Sequence, residues 1–324
     1  MPRGASAAPV PVTIVTGFLG AGKTTLVNRL LSTEHGERIA VIVNEFGAVG
    51  IDGRLIVASQ DELVELKNGC ICCTLRGDLA VALSALLAKR ERRLWPLAFE
   101  RVVIETSGLA SPGPVLQTLA LEAGLAERTR ADGVITLVDA TSVAEALATS
   151  AEAEEQVAHA DLLLLNHADR ADSAALAAAA QALAALNPLA PLRQSIRAAI
   201  EPRCLFNLAR AASIPPSLDH AAHDPSLHGP EARSIVLQSA RPLDLHALKL
   251  WLTFATGRNP ASLWRIKGIV RCVGHGRALA VHGVRQWLEI TPLEAQPPQE
   301  SVLVLIGRAL EEAELQRGFA ACLR

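Results

Sequence analysis

Tyrosine is absent from this chain of 324 residues, methionine occurs once, and aromatic residues make up only 3%. Alanine is abundant, a compositional bias that carries no functional sign. Neither charge sign is in surplus: 31 Lys and Arg against 33 Asp and Glu leave a formal net charge of -2. That balance gives no electrostatic basis for a nucleic-acid or bilayer partner. No apolar run reaches the roughly 18 residues that a membrane-spanning helix needs. The start, MPRGASAAPVPV, lacks the long apolar stretch of a secretory signal, so the cytoplasm is the expected compartment. Cysteine is scarce, six in all, and cytoplasmic thiols stay reduced. A cysteine cluster here points to metal or redox chemistry rather than disulfides. Length, by contrast, is ample: 324 residues exceed what one core usually serves, so two domains are expected.

Half of the cysteines fall in one stretch, KNGCICCTL at 67–75, as Cys70, Cys72 and Cys73. Their purpose has to be read from what surrounds them. PVTIVTG (11–17) is a β-branched run ending in glycine and predicts a buried strand. It leads into GFLGAGKTT (17–25), a match to the phosphate-loop pattern G-x-x-x-x-G-K-[ST]. Gly17, Gly20 and Gly22 free the backbone to curl, so that N–H groups along the loop, Ala21 included, point at phosphate oxygens. The helix beginning near Lys23, with Thr24 and Thr25 in its first turn, adds its positive N-terminal end. Lys23 can reach the β- and γ-phosphates, and the Thr24 hydroxyl can bind Mg²⁺. A glycine turn that was merely structural would require neither Lys nor Thr.

Such a loop needs an acidic strand end near the Mg²⁺. RVVIETSG (101–108) supplies Glu105, which can orient the metal-bound water, and Gly108, whose N–H can sense the γ-phosphate. DLLLLNHAD (161–169) is an apolar strand running into a polar loop. A single carboxylate can accept from both the N1–H and the exocyclic amine of guanine, and Asp169 is placed to do so. Asn166 would tie this loop to its neighbours through its side-chain amide. Where the usual N-K-x-D arrangement lays a lysine stem over the base, this chain has His167, whose imidazole can stack instead. Guanine is the expected base, with adenine or mixed use as the alternative. Strand runs at 38–47, 132–140 and 191–197 alternate with helical stretches such as the alanine-rich 172–186. That alternation predicts a mostly parallel, doubly wound α/β sheet with ligands at the carboxyl ends of its strands.

Cys70, Cys72 and Cys73 lie between the phosphate-loop helix and the strand ending at Glu105. Three thiolates in a tight loop suit Zn²⁺ or Cu⁺ better than hard cations. Zinc takes four ligands, which leaves one position for Glu45, a histidine, water or a receiving protein. The competing readings are buried cysteines acting as small hydrophobes, and a redox switch.

Together, GFLGAGKTT, NEFG (44–47), GCICC (69–73) and ETSGL (105–109) resemble the CobW-like group of P-loop GTPases, which handle zinc or cobalt. The resemblance implies that Cys70, Cys72 and Cys73 bind a transition metal, with Glu45 as an auxiliary ligand. It also implies that Asp52, in GIDG, contacts Mg²⁺ or its water. The segments LWRIKGIVRCVG, RALAVHGVRQWLEI and SVLVLIGRALEEAEL resemble the smaller α/β domain that follows the GTPase in this group. His167 and Ala168 depart from the usual guanine signature.

The expected organisation is a GTPase domain at 1–212, a linker at 213–232 and a C-terminal domain at 233–324. The linker carries His220, His223 and His228, which are either weak metal captors or simply exposed. Cys272, His275 and His282 pose a similar choice between structural residues and a second metal site. PLDLHALKLWLTFA predicts a helix packed on a sheet, with Trp251, Trp264 and Trp287 as core or interface anchors. The function expected is GTP hydrolysis with Lys23 and Glu105 in catalytic roles, coupled to carriage of Zn²⁺, or of Co²⁺, to a client metalloprotein. A homodimer is admitted. The alternatives are a nucleotide-switched metal sensor, a cobalt-handling protein linked to cobalamin synthesis or metalloenzyme maturation, and a P-loop kinase or ligase with incidental cysteines.

Overall fold

The structure, a computed structural model, describes residues 8–44, 55–58, 63–66, 77–92, 97–208, 232–258 and 261–324. The readings placed on Glu45, Asp52, Cys70, Cys72, Cys73 and the linker histidines lie outside the described residues.

Short β-branched and leucine runs form the strands of the first sheet: β1 (Val10–Gly17), β2 (Ile39–Asn44), β3 (Leu55–Ala58), β4 (Leu63–Leu66), β5 (Arg101–Thr106), β6 (Thr129–Asp139), β7 (Leu162–Asn166) and β8 (Leu192–Gln194). Their order is β4-β3-β2-β5-β1-β6-β7-β8. The six strands from β2 to β8 in that order run parallel, while β3 and β4 pair antiparallel at one edge. β5 and β7 are buried along their whole length, as strands of a parallel sheet covered on both faces must be. That explains why they read as unbroken apolar runs rather than alternating ones.

Two compact units divide the described chain. The first contains this sheet with helices α1 (Lys23–Ser32), α2 (Gly77–Arg90), α3 (Gly113–Leu121) and the short α4 (Ala123–Ala126). α1 lays Leu26, Val27 and Leu30 against Val15, Val41, Val103, Ile135 and Leu137. The amino ends of the strands are tied by a buried ionic cluster. Arg101 pairs with Asp132, donates to Glu37 at 2.8 Å, and sits 4.1 Å over the Phe206 ring.

The second unit contains α5 (Val143–Thr149), α6 (Ala151–Ala158), α7 (Ser173–Leu186) and a five-stranded sheet. Its strands are β9 (Ala232–Ser239), β10 (Leu263–Val270), β11 (Leu279–Val284), β12 (Trp287–Pro292) and β13 (Ser301–Arg308), in the order β12-β11-β10-β13-β9 and antiparallel throughout. Helices α8 (Leu245–Arg258) and α9 (Glu312–Ala320) pack on it through Leu248, Leu252, Leu315 and Phe319. Trp251 meets Phe319 at a ring separation of 6.1 Å, where a Cβ on Gly318 would lie 2.0 Å from the indole nitrogen. Trp264 is buried, with its N–H donating to the Ala261 carbonyl at 3.0 Å.

Cys272 belongs to this core, and burial, with Asp244 and Cys322 adding, pushes its thiol up to about 11. Among the described residues no three His, Cys, Asp or Glu side chains are grouped to hold a metal ion.

α6 is fastened to the second sheet by charge. Glu154 accepts from Arg308 Nε at 2.8 Å, Glu155 pairs with Arg285 at 2.5 Å, and Arg265 donates to the His159 carbonyl. Burial drives the His159 imidazole below its ordinary value, against the pull of the Glu155 carboxylate, whose Oε1 lies 3.6 Å from Nε2. Burial works to raise Glu155, but His159 and Arg285 outweigh it and hold the carboxyl down at about 2.

Candidate nucleotide site

The phosphate loop turns on three glycines with positive φ. Gly17 has φ 142°, and a Cβ there would lie 2.2 Å from the Leu137 carbonyl oxygen. Gly22 has φ 100°, and its Cβ would lie 2.5 Å from Asn166 Nδ2. Any side chain at either position collides with a neighbouring strand, so the loop closes against β6 and β7 only because both are glycine. Gly20, at φ 77°, has open space around it and meets the conformational demand alone.

Lys23, the first residue of α1, is buried, and its ammonium donates to the carbonyls of Gly17 at 2.8 Å and Phe18 at 3.0 Å. The charge is thus folded back over the loop that a phosphate chain would occupy. Thr24 Oγ1 donates to Glu105 Oε1 at 2.6 Å, joining the loop to the end of β5. A hydroxyl and a carboxylate meeting at one point form the hard-oxygen donor set that Mg²⁺ takes. Thr25 follows on the exposed face of α1. Gly108 closes the other side, where a Cβ would lie 2.6 Å from Leu19 Cδ2.

Asn166, fully buried at the end of β7, spends its amide on protein. Its Nδ2 donates to the Ala21 carbonyl at 2.9 Å, and its Oδ1 accepts from Ser195 Oγ at 3.1 Å and from the Ala198 N–H at 2.8 Å. It thereby staples the phosphate loop to the segment after β8. Asp169 lies three residues on, exposed, in the 3₁₀ turn Ala168–Arg170. Gly17, Gly20, Ala21, Gly22, Lys23, Thr24, Glu105, Gly108 and Asn166 are therefore brought to one strand-end locus, with Asp169 on the rim loop.

Sequence reading passed over Asp139, at the last position of β6. Its Oδ2 lies 2.9 Å from His167 Nδ1, and its Oδ1 accepts from the amide and hydroxyl of Thr141 at 2.8 and 2.7 Å. An acidic residue closing a strand whose neighbour feeds the base loop was the available signal. Ser195 and Ala198 gave none, because their part appears only once β8 lies beside β7.

Comparison with known proteins identifies the family of the chain. Residues 11–194 match the family model described as CobW/HypB/UreG, nucleotide-binding domain, and residues 232–323 match the Cobalamin synthesis protein cobW C-terminal domain. The chain is 34% identical to the zinc chaperone YjiA of Escherichia coli over 321 residues, covering 96% of this chain and 98% of that one. It is 39% identical over 194 residues to the zinc chaperone CobW of Pseudomonas aeruginosa, half of each chain. A crystal structure of Zn(II)-bound YjiA GTPase from E. coli superposes with a TM-score of 0.76 at 30% identity, covering 98% of this chain and all of that one. On these matches, which reach both the phosphate-loop half and the C-terminal half, the chain belongs to the CobW/HypB/UreG family.

Proposed function

We propose that this protein is a GTP-hydrolysing metallochaperone that binds zinc at Cys70, Cys72 and Cys73 and delivers it to a client metalloprotein in the cytoplasm. The observation that carries the hydrolytic part is the 2.6 Å contact between Thr24 and Glu105 at the mouth of the phosphate loop. The near full-length similarity to a zinc chaperone supports the choice of cargo.

In this reading Lys23 exchanges its loop carbonyls for phosphate oxygens, the amides from Gly20 to Thr25 cradle the same oxygens, and Gly108 lies against the loop where the terminal phosphate would end. Thr24 and Glu105 would hold Mg²⁺, which supplies charge neutralisation at the phosphates, and Asp52 is proposed as a further contact to it or its water. Glu105 would orient the attacking water. Asn166 positions the base loop, and Asp169 accepts from the guanine edge. By chain order, the domain limits we propose are 1–212 for the GTPase, 213–232 for the linker and 233–324 for the C-terminal domain, although α5, α6 and α7 pack with the second unit.

The thiolates are soft donors and hold a different metal from the oxygen site. Structural zinc sites bind with roughly 10–16 kcal/mol, so release needs a second event. Loss of the terminal phosphate is that event, since the cysteine stretch falls between the phosphate loop and Glu105 in sequence. Allosteric couplings of about 1–3 kcal/mol change affinity roughly 5- to 150-fold, too little to expel zinc into water but enough to bias transfer to a client.

The test pairs two variants. Lys23→Ala should abolish GTP hydrolysis while leaving tight zinc binding, and Cys70, Cys72 and Cys73 together changed to Ser should do the reverse. Zinc affinity that survives the triple change assigns the cargo site elsewhere.

A further inference from the structure

His167 is one of six non-glycine residues with positive φ among those described, at φ 58° and ψ 33°. A β-carbon in that region costs energy that the surroundings must supply, and such positions cluster at functional sites. Here the surroundings are identifiable. The Ala168 N–H donates to the Ser195 carbonyl at 3.2 Å, the Arg170 N–H to the His167 carbonyl at 2.9 Å, and the Ala140 N–H to the Asn166 carbonyl at 2.9 Å. The loop is thus pinned on each side of His167, and the side chain is pinned as well, through Nδ1 to Asp139.

Burial works to raise the Asp139 carboxyl, but the Thr141 hydroxyl and amide together with His167 outweigh it and hold it below the usual carboxylate range. It is therefore an ionised acceptor with no proton to give, so His167 Nδ1 carries the hydrogen of their contact. Ring orientation and tautomer are both fixed before any ligand arrives, as a residue poised beside a ligand requires.

We propose that Asp139 is a positioning residue of the nucleotide site, holding the His167 imidazole as a rigid wall on which the guanine base stacks. A lysine stem at this place would cover the base only after ordering several torsions. An imidazole anchored at one nitrogen has lost that freedom already, and an aromatic face adds stacking to coverage. This inference rests on the reading of residues 166–169 as the base-recognition loop.

Binding of fluorescent mant-GDP to the full-length protein with Mg²⁺ tests it. Asp139→Asn keeps the oxygen that accepts from Thr141 but loses the acceptor for His167, and should weaken binding about 10-fold. His167→Ala should lose about as much, and His167→Phe, which keeps a ring, should stay within about 3-fold of the wild type. In the His167→Phe background Asp139→Asn should have no further effect, because no Nδ1–H remains to hold. Imidazole ¹⁵N resonances should show a single Nδ1–H form in the wild type and a mixture in Asp139→Asn.

Unchanged binding by Asp139→Asn would overturn the proposal, as would an equal loss in the His167→Phe background, which would assign Asp139 to the turn alone. Asp169→Ala separates the underlying reading. If it leaves guanine binding untouched, the loop has been misassigned. If it weakens binding while Asp139→Asn and His167→Ala are silent, the positioning role alone is wrong.

Discussion

Thr24 Oγ1 and Glu105 Oε1 lie 2.6 Å apart although 81 residues separate them in sequence. The contact forms because β1 and β5 are parallel neighbours, so the loop leaving one and the carboxylate at the end of the other meet at the same edge of the sheet. Removing either partner should disable hydrolysis without unfolding the chain. Thr24→Ala and Glu105→Gln are each expected to lower kcat for GTP by about 10²-fold or more, with a thermal midpoint close to the wild type. Near-normal turnover in Glu105→Gln would remove that residue from the catalytic assignment.

Base selectivity should be invertible at Asp169. Guanine offers two donors to a carboxylate, whereas xanthine replaces the exocyclic amine with a carbonyl and calls for a donor and an acceptor together. Asp169→Asn supplies that pair. It should depress GTP turnover about 10²-fold and restore activity with xanthosine triphosphate. Equal use of both nucleotides by the wild type would contradict the role given to Asp169.

Asn166 should behave as a structural staple as well as a loop residue. Replacing it with Ala leaves the Ser195 hydroxyl, the Ala198 N–H and the Ala21 carbonyl short of a partner, a loss of about 3 kcal/mol in unfolding free energy. Gly22→Ala should damage the same joint from the other side, since its Cβ would press on Asn166 Nδ2 at 2.5 Å. Denaturant midpoints check both, and a surface-like effect below about 0.5 kcal/mol would contradict the account.

Acid should loosen the second unit in two stages. His159 and Glu155 both titrate below their ordinary values in the folded chain, so each contributes stability that is present at higher pH and lost as pH falls. The His159 contribution begins to drain below its unfolded value of 6.5. The Glu155 contribution drains from 4.5 down to about 2, with a ceiling of about 3 kcal/mol. Urea midpoints measured from pH 8 to pH 4 should fall, and His159→Gln should flatten the part of the fall that begins near 6.5. A wild-type midpoint constant between pH 7.5 and 5 would contradict this.

Local pattern carried some of the molecule and missed the rest for definable reasons. The strand before the phosphate loop, the loop and α7 are each encoded by neighbours in sequence, and each lies where its pattern implies. β3 and β4 escaped because runs of only four residues, LIVA and LVEL, carry too little periodicity to distinguish a strand from a loop. The C-terminal segments showed their strands but not that all five pair antiparallel, with β9 beside β13. The partners of α6 are 130 and 154 residues away, at Arg285 and Arg308, and no short-range signal announces them. Asp139 gave a weak signal as an acidic strand end, but its role shows only once His167 folds back to meet it.

The central claim is that nucleotide state and metal affinity are coupled. It is tested most directly by measuring Zn²⁺ affinity through chelator competition under reducing conditions, with Mg²⁺ and either a non-hydrolysable GTP analogue or GDP. The account predicts affinities that differ by about tenfold or more between the two states. Tight and equal affinities would contradict it and reduce the three cysteines to a constitutive site.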